Sequence, residues 1–180
     1  MKQNTGTVPI ETRRLMLRRF TPCDCKNVHK NWTSDPQVTR FLTWRAFHEE
    51  YETALLLDDW CQAYRHKDFY RWAIELKSLG EPIGTISMMR TMNPFTFETG
   101  YCLGKKWWGE GYAAEALQAV TAYMFASTPC KKILAKHALE NPSSGRVLEK
   151  SGFVPARQDP VRAVTENGLF YCRLYKKEAE

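Results

Sequence analysis

The sequence lacks any apolar run long enough to cross a lipid bilayer, for which a helix needs about 20 residues. The first residues, Met1 to Pro9, contain no apolar core of the kind found in a secretory signal, and we interpret them as a short, flexible polar tail. We therefore predict a cytoplasmic protein with no membrane partner. Internal repeats, low-complexity segments and linkers are also missing, so the 180 residues predict a single domain over 1–180.

Paired C-x-x-C spacing, the usual mark of a structural zinc site, is absent although the chain has six cysteines. Cys23, Cys25 and His29 together offer three metal ligands, but no fourth ligand lies close to them in sequence. Reduced thiols on or near a helix explain these cysteines better. We therefore predict no metal centre.

Blocks of like charge are absent as well, although the formal net charge is +6 at pH 7. Basic residues are interspersed with acidic ones, whereas a nucleic-acid-binding protein needs a clustered basic face. A solvated basic surface with one local anion site accounts for the excess charge. We predict no nucleic-acid partner.

The spacing of apolar residues predicts an α+β fold, with a mixed, mostly antiparallel β-sheet and helices on both of its faces. The predicted helices run from residue 21 or 24 to 32 and over 49–64, 113–125 and 141–151. The predicted strands cover residues 14–20, 69–76, 82–89, 97–103, 133–139, 153–157 and 169–176. Turn residues between the second, third and fourth strands indicate an antiparallel meander.

The most informative segment is the run Lys-Trp-Trp-Gly-Glu-Gly-Tyr-Ala-Ala-Glu-Ala at residues 106–116, between a predicted strand and a predicted helix. Gly109 and Gly111 allow backbone amides to approach a ligand without obstruction by side chains. The N-terminus of the helix presents free N–H groups and a partial positive charge at the same place. This arrangement is typical of a phosphate-binding loop, so we expect a phosphorylated cofactor.

The same glycines, with Ala114, also fit the Gly-x-Gly-x-x-Ala fingerprint of nicotinamide and flavin enzymes. In those enzymes an acidic residue about 20 positions later holds the ribose. Here the first acidic residue after Glu115 is Glu140, which lies late in the sequence. The predicted meander upstream and the short remainder of the chain also count against a dinucleotide-binding fold.

Two further polar positions have both a structural and a functional interpretation. Asn141 suits an N-cap and Ser144 falls in the first turn, so helix capping alone accounts for both. Their helix also follows the strand next to the glycine loop, which would place them at the same cleft. Glu98 lies in a β-like run, where a glutamate usually faces solvent, but it is also a candidate general base. Local sequence leaves these alternatives open.

Taken in order, these segments resemble the GNAT superfamily of acetyl-CoA-dependent N-acetyltransferases, and within it the RimJ/RimL type of ribosomal-protein N-terminal acetyltransferases. The resemblance covers nearly the whole chain. Its motifs are Glu11-Thr-Arg-Arg-Leu-x-Leu-Arg18, Glu98-x-Gly-Tyr101, Trp108-Gly-x-Gly-Tyr-Ala-x-Glu-Ala116 and Asn141-x-x-Ser-x-x-Val-Leu-Glu-Lys-x-Gly-Phe153. It implies the acyl-CoA N-acyltransferase fold with a splayed central strand pair, and acetyl-CoA as the cosubstrate without a metal.

The resemblance also implies roles for individual residues. Glu98 matches the proposed base of the RimJ/RimL branch, and Ser144 matches its proton donor. Many relatives have a tyrosine acid on the last motif helix, where this chain has Leu148. These assignments give Glu98 and Ser144 as the predicted catalytic residues.

For the cofactor, the resemblance implies a pyrophosphate loop that begins at Lys106, where relatives have Gln or Arg. The pantetheine arm would lie against the strand residues 100–103 and bond to Asn141. The predicted cofactor-binding residues are Tyr101, Cys102, Leu103, Lys106, Trp107, Trp108, Gly109, Glu110, Gly111, Tyr112, Ala113, Asn141 and Arg146.

The implied activity is transfer of an acetyl group from acetyl-CoA to a primary amine, by direct attack in a ternary complex. We expect the acceptor to be the α-amine of a protein or peptide. A small amine such as a polyamine, amino acid or aminoglycoside is the alternative. A non-catalytic acyl-CoA-binding module is a distant third, because Glu98 and Ser144 are both present. The sequence leaves open which amine is used and whether the chain forms a homodimer.

Overall fold

The computed structural model describes residues 2–157 and 160–179. The strands are β1 (Ile10–Glu11), β2 (Leu15–Arg18), β3 (Tyr70–Leu76), β4 (Glu81–Arg90), β5 (Thr96–Leu103), β6 (Lys132–Ala138), β7 (Val154–Pro155), β8 (Val161–Thr165) and β9 (Gly168–Glu178). The α-helices are α1 (Cys25–Val28), α2 (Pro36–Thr39), α3 (Glu50–Ala63), α4 (Tyr112–Ser127) and α5 (Pro142–Lys150). Short 3-10 helices cover Pro22–Asp24 and Lys105–Trp107, and a π-helix covers His29–Thr33.

The strands form one sheet in the order β1-β2-β3-β4-β5-β6-β9-β7, with β8 paired to β9. Strands β5 and β6 run parallel, and the other neighbouring pairs are antiparallel. The predicted mixed α+β sheet is therefore confirmed. A dinucleotide-binding fold needs a mostly parallel sheet, so this topology rules out the nicotinamide or flavin alternative.

The central parallel pair comes apart halfway along its length. Pairing of β5 with β6 joins residues 96–99 to residues 132–135. Beyond that point β5 continues to Leu103 and β6 continues to Ala138 without further pairing to each other. The strands therefore diverge after Thr99, and the gap between them opens where the sequence motif places Gly100.

Alternation along β5 directs its side chains into two separate cores, because successive residues of a strand point to opposite faces. Phe97 and Leu103 pack with helix α4 in one core, whereas Cys102 packs with Trp32 and Trp60 in the other. We call the side of the sheet that α4 and α5 cover the α4 face. The side that α1 and α3 cover is the α3 face.

The formation and length of helix α4 are explained by its amino-acid composition and by the residues at its ends. Alanine, leucine and methionine favour helix, and the helix ends at Ser127, just before Thr128 and Pro129. Four of its side chains are completely buried against the sheet, namely Ala116, Leu117, Val120 and Met124. This packing fixes the N-terminus of α4 next to the end of β5.

The predicted flexible tail at residues 1–9 is wrong for the part around Thr7. The buried Thr7 hydroxyl donates to the Phe69 carbonyl (3.0 Å) and accepts from the Arg71 N–H (2.9 Å). The Trp72 indole N–H donates to the Val8 carbonyl at 2.7 Å. Strand β2 pairs only with residues 73–76 of β3, so the start of β3 has polar groups that need other partners.

The C-terminal region also differs from the prediction. The strand predicted over 153–157 is reduced to β7, and β8 was missed because its alternating side chains are only partly buried. Strands β8 and β9 form a hairpin whose turn residue Asn167 donates its side-chain N–H groups to the carbonyls of Thr39, Leu42 and Trp44 at 2.9–3.1 Å. These bonds attach the hairpin to the last residue of α2 and to the segment that follows it, on the α3 face.

Candidate active site

The glycine loop at the start of α4 adopts a backbone conformation that other residues resist. Gly109 has φ of +84° and Gly111 has φ of +82°, both in the left-handed region. Apart from Gly109 itself and the two adjacent residues, no heavy atom of the described chain lies within 4 Å of the position that a Cβ on Gly109 would occupy. The loop is therefore open on this side, so a ligand can approach its backbone directly.

The N-terminus of α4 has no side-chain cap. Gly111 occupies the N-cap position and offers no side chain, so no side chain within residues 2–157 and 160–179 caps the first N–H groups of this 16-residue helix. Free amides and the positive end of the helix dipole favour a phosphate or pyrophosphate. The loop thus fits the phosphorylated cofactor that its sequence predicts.

Arg14 stabilises this loop, although the site predicted from the sequence did not include it. Its guanidinium pairs with Glu115 at 2.7 Å, donates to the Glu110 carbonyl at 2.9 Å and stacks on the Tyr112 ring at 4.2 Å. Thr12 adds a hydrogen bond from its hydroxyl to Glu115 at 2.7 Å. Arg14 and Glu115 both lie in sequence motifs that resemble the GNAT superfamily, but only the three-dimensional structure shows that they are in contact.

The Glu115 carboxylate is therefore a structural anchor of the loop. Burial raises its pKa, but the hydrogen bonds from Thr12 and Arg14 and the charge of Arg14 together outweigh burial and leave the pKa below its ordinary value. The carboxylate stays ionised at neutral pH and holds the loop in place.

The two tryptophans of the loop have different environments. Trp107 is 6% exposed and belongs to the core of the α4 face, with the Lys106 ammonium 5.5 Å from its ring centre. Its side chain therefore does not line an open channel, and only its backbone remains available to a cofactor. Trp108 is 49% exposed, and its indole N–H donates to the Leu103 carbonyl at 2.8 Å.

Tyr101 and Ser144 meet across the gap between β5 and α5. The Tyr101 hydroxyl lies 3.0 Å from the Ser144 hydroxyl and also donates to the Ser144 carbonyl at 3.0 Å. Burial raises the pKa of Tyr101 to about 12, with the hydrogen bond from Ser144 acting against it. Leu148, which stands where many relatives have a tyrosine, is completely buried. Leu148 has no hydroxyl to offer, whereas Tyr101 and Ser144 place two hydroxyl groups side by side.

Asn141 caps helix α5, as its structural interpretation predicts. Its side-chain oxygen accepts the Ser144 N–H at 3.3 Å. Its amide nitrogen has no hydrogen-bond partner among the described residues. Arg146 is exposed on the same helix and donates to the Ser143 hydroxyl at 2.8 Å.

Glu98 lies on the other face of β5. It lies three positions before Tyr101 in the strand, so the two side chains point to opposite faces. Its carboxylate forms an ion pair with the Lys136 ammonium at 2.9 Å, and its side chain is 32% exposed. Sequence reasoning missed Lys136, because only the parallel pairing of β5 with β6 brings it close to Glu98.

Cys102 and Leu103, both expected at the cofactor, have buried side chains at the end of β5. Burial raises the pKa of the Cys102 thiol to about 12, although nearby Arg71 and a hydrogen bond with the Thr85 backbone act in the other direction. A thiol in this state is a poor nucleophile at neutral pH. Cys102 is therefore not equipped to take up an acyl group.

Comparison with known families identifies the class of protein. Residues 14–154 match the family described as acetyltransferase (GNAT) domain. The chain is 29% identical over 145 residues to the uncharacterized N-acetyltransferase YoaA of Bacillus subtilis, covering 80% of this chain and 81% of YoaA. It is 31% identical over 143 residues to the uncharacterized N-acetyltransferase p20 of Bacillus licheniformis, covering 79% and 80%. The ribosomal-protein-serine acetyltransferase of Escherichia coli is 29% identical over 133 residues, covering 72% and 69%.

Solved structures show the same fold. A GNAT acetyltransferase from Bacillus anthracis has a TM-score of 0.82 at 25% identity, covering 95% of this chain and 98% of that one. The ribosomal-protein-S5-alanine acetyltransferase of Vibrio fischeri has a TM-score of 0.81 at 19% identity, covering 96% and 97%. RimL, solved in complex with coenzyme A, has a TM-score of 0.83 at 15% identity, covering 96% and 98%.

The chain belongs to the GNAT acetyltransferase family, and it is an acetyl-CoA-dependent N-acetyltransferase. In the part of the chain that the structure describes, no cluster of His, Cys, Asp and Glu has the arrangement of a metal site. Within the same ranges, every helix is too short or too polar to span a lipid bilayer.

Proposed function

We propose that this enzyme acetylates the α-amine of a protein or peptide, with Glu98 as general base and Ser144 as general acid. The observation that carries the proposal is the placement of these two residues on opposite sides of β5, beside the gap where β5 leaves β6. The similarity to the ribosomal-protein-serine acetyltransferase of E. coli supports a protein N-terminus as the acceptor.

The proposed cofactor site joins three surfaces. The open amides at Gly109 and Gly111 would hold the pyrophosphate, and the unpaired edge of β5 beyond Thr99 would hold the pantetheine arm. Asn141 would bond that arm through its amide. Acetyl-CoA supplies an activated thioester, and the residues of the chain position it beside the acceptor.

The proposed role of Glu98 is to bind the acceptor ammonium and remove its proton. An amine attacks a thioester only when its lone pair is free, so a carboxylate within hydrogen-bond reach assists. The ion pair between this carboxylate and the Lys136 ammonium, at 2.9 Å, supports a site for a primary ammonium beside Glu98. An acceptor ammonium would take the place of Lys136.

The proposed role of Ser144 is to donate a proton to the departing thiolate of coenzyme A. The hydrogen bond with Tyr101 would hold the Ser144 hydroxyl in place, and solvent would restore the proton that Ser144 donates. Attack by the amine is direct, because the raised pKa of Cys102 disfavours an acyl-enzyme on that thiol.

The proposal is tested by a substrate comparison with the purified enzyme. Thiol release from acetyl-CoA is measured with short peptides that carry a free N-terminus, with the same peptides blocked at the N-terminus, and with polyamines and an aminoglycoside. We expect kcat/KM to be highest for the free peptides. Blocked peptides should give only the background rate. A polyamine or aminoglycoside with the highest kcat/KM would establish the small-amine alternative instead.

The six cysteines are free thiols, which suits the reducing conditions of the cytoplasm. We place the proposed reaction there, where newly made protein N-termini are available.

A further inference from the structure

A second charged residue projects from the sheet on the same face as Glu98. Arg71 of β3 lies directly opposite Ser87 of β4, and Ser87 lies directly opposite Gly100 of β5. Directly opposed residues point to the same face, so Arg71 shares the α3 face with Gly100 and with Glu98, two residues away from Gly100. The guanidinium thus belongs to the side of β5 on which the acceptor amine is expected.

The environment of Arg71 is mostly aromatic. Its guanidinium lies over the Trp60 ring, 4.3 Å from the ring centre. The guanidinium also lies close enough to interact electrostatically with Tyr64 and with the thiol of Cys102, at the end of β5. Gly100 leaves space beside this group, since a Cβ there would meet only the Ser87 hydroxyl, at 3.8 Å. The side chain therefore extends across β4 toward the diverging end of β5.

Arg71 has no anionic partner among residues 2–157 and 160–179. No ion pair within those ranges includes it, and its Nε atom is buried without a hydrogen-bond acceptor. Burial lowers its pKa, with only Tyr64 and Cys102 acting in the opposite direction. A guanidinium in such a place is poorly satisfied by the protein alone.

Arg18 provides a comparison, because its guanidinium is paired with carboxylates of the protein itself. It lies on the same face, and its guanidinium bonds the two oxygens of Asp24 at 2.8 and 2.9 Å and an oxygen of Glu75 at 2.6 Å. Two carboxylates therefore surround Arg18, whereas Arg71 has an aromatic ring and, among the described residues, no carboxylate partner. The contrast indicates that the partner of Arg71 arrives with a ligand.

We propose that Arg71 binds a carboxylate of the acceptor, so that the enzyme selects amines that also carry an acidic group. The inference rests on the proposed function, since it assumes that the acceptor occupies the α3 face beside Glu98. Glu98 would receive the ammonium end of the acceptor and Arg71 its carboxylate. A planar guanidinium forms two parallel hydrogen bonds with a carboxylate, which adds specificity to the charge attraction.

The test compares acceptors that differ in one carboxylate. One arm uses peptides with Ser-Glu or Ser-Gln at a free N-terminus, and the other uses free serine and serinamide. Wild-type enzyme should prefer the acidic member of at least one pair by about 10- to 100-fold in kcat/KM, the range of a charged hydrogen bond. The pair that shows the preference identifies whether the carboxylate is a side chain or the α-carboxylate of a free amino acid.

Arg71→Met should reduce that preference to about one by raising KM for the acidic acceptor, while KM for the neutral acceptor changes little. Arg71→Lys should keep part of the preference because it retains the charge without the planar fork. Arg65→Met is the control, since it removes one exposed arginine beyond the end of α3 and should leave the preference intact. Circular dichroism and acetyl-CoA titration check that each variant is folded.

Binding measurements cover the case in which turnover is low. With the enzyme saturated in coenzyme A, acetyl-Ser-Glu-amide should bind more tightly than acetyl-Ser-Gln-amide, or acetylserine more tightly than acetylserinamide, and Arg71→Met should abolish the difference. Equal losses for acidic and neutral acceptors, with a lower Tm, would instead make Arg71 a structural partner of Trp60. Absence of turnover with every amine would overturn the proposed function, whereas turnover without any acid preference would overturn this inference alone.

Discussion

The α4 face and the α3 face carry the two proposed ligand surfaces, which are of different kinds. On the α4 face the surface consists largely of backbone, namely the amides of the loop at Gly109 and Gly111 and the uncapped N-terminus of α4. On the α3 face it consists of side chains, with Glu98 paired to Lys136 and Arg71 lying over Trp60. The first surface depends on the backbone conformation of a short segment, whereas the second depends on contacts between side chains from different strands and helices.

This difference suits the two ligands of an acetyltransferase. The cofactor is common to the whole family, so a site made of amides and helix geometry serves every member without depending on many side chains. The acceptor differs between members, and side chains are what a protein varies to change specificity. Substitutions on the two faces should therefore have separable effects on cofactor affinity and on the reaction with the amine.

The largest effect is expected on the α3 face, at Glu98. Glu98→Gln keeps the shape of the side chain but removes its basic site, so kcat should fall by about 10²–10⁴-fold at neutral pH. The loss should shrink as pH rises, because unprotonated amine then becomes available without a base. Steady-state rates across pH, with acetyl-CoA binding measured in parallel, check this prediction.

Lys136→Met is the matched control for Glu98, since it removes the ion-pair partner and leaves the carboxylate in place. Activity should be retained or should rise. If Glu98→Gln were nearly as active as wild type, substrate positioning would be the main source of catalysis, and proton transfer to Glu98 would not be needed.

Ser144→Ala should give the next largest effect, a fall in kcat of about 10²-fold with little change in acetyl-CoA affinity. The proton is needed only as the thiolate leaves, so the effect should appear in kcat. Ser143→Ala, which alters an exposed neighbour on the same helix, should leave kcat unchanged. A large drop in Tm with normal kcat per folded molecule would show that Ser144 acts only in the first turn of α5.

Gly111→Val tests the backbone surface of the α4 face. A β-branched residue at φ of +82° is strained and would also approach Arg14, so the acetyl-CoA Kd should rise by about 10- to 100-fold. Gly80→Val places the same residue at another positive φ, +66°, in the turn between β3 and β4. Calorimetry should show normal affinity for that control, and equal loss in both variants would point to general destabilisation.

Glu115→Gln should have the smallest effect, a decrease in Tm of about 2–4 °C at pH 7 from the loss of about 1 kcal/mol of hydrogen bonding. The pKa of Glu115 is lowered by folding, so its contribution is complete above its ordinary value of 4.5 and is lost as pH falls below it. Thermal melts from pH 7 to pH 3 should therefore show the difference from wild type shrinking with acid. A difference that is constant over this range would contradict the ionised anchor.

The sequence predicted the α4 face well because its requirements are local. Gly109 and Gly111 permit the positive φ that the turn into α4 adopts, and Asn141 with Pro142 marks a helix start without knowledge of the fold. Arg14 was missed because its partner Glu115 lies 101 residues away. Its role depends on how β2 lies against α4.

The α3 face was harder to predict because the contacts of its residues involve partners that are distant in the sequence. Lys136 reaches Glu98 through the parallel pairing of β5 with β6. Arg71 looks like an ordinary charged strand residue until the register places it opposite Ser87 and beneath Trp60. The β8–β9 hairpin escaped prediction for a related reason, since Asn167 attaches it to a distant loop and its own core is small.

The central claim is that the two faces act together in one complex, with the amine attacking acetyl-CoA directly. Mass spectrometry of the enzyme incubated with acetyl-CoA, first without and then with a free-N-terminus peptide, tests this claim most directly. We predict an unmodified enzyme in both samples, with free thiol and acetylated peptide appearing only in the second. An acetyl group on Cys102, formed with acetyl-CoA alone and passed on to the peptide, would contradict the account.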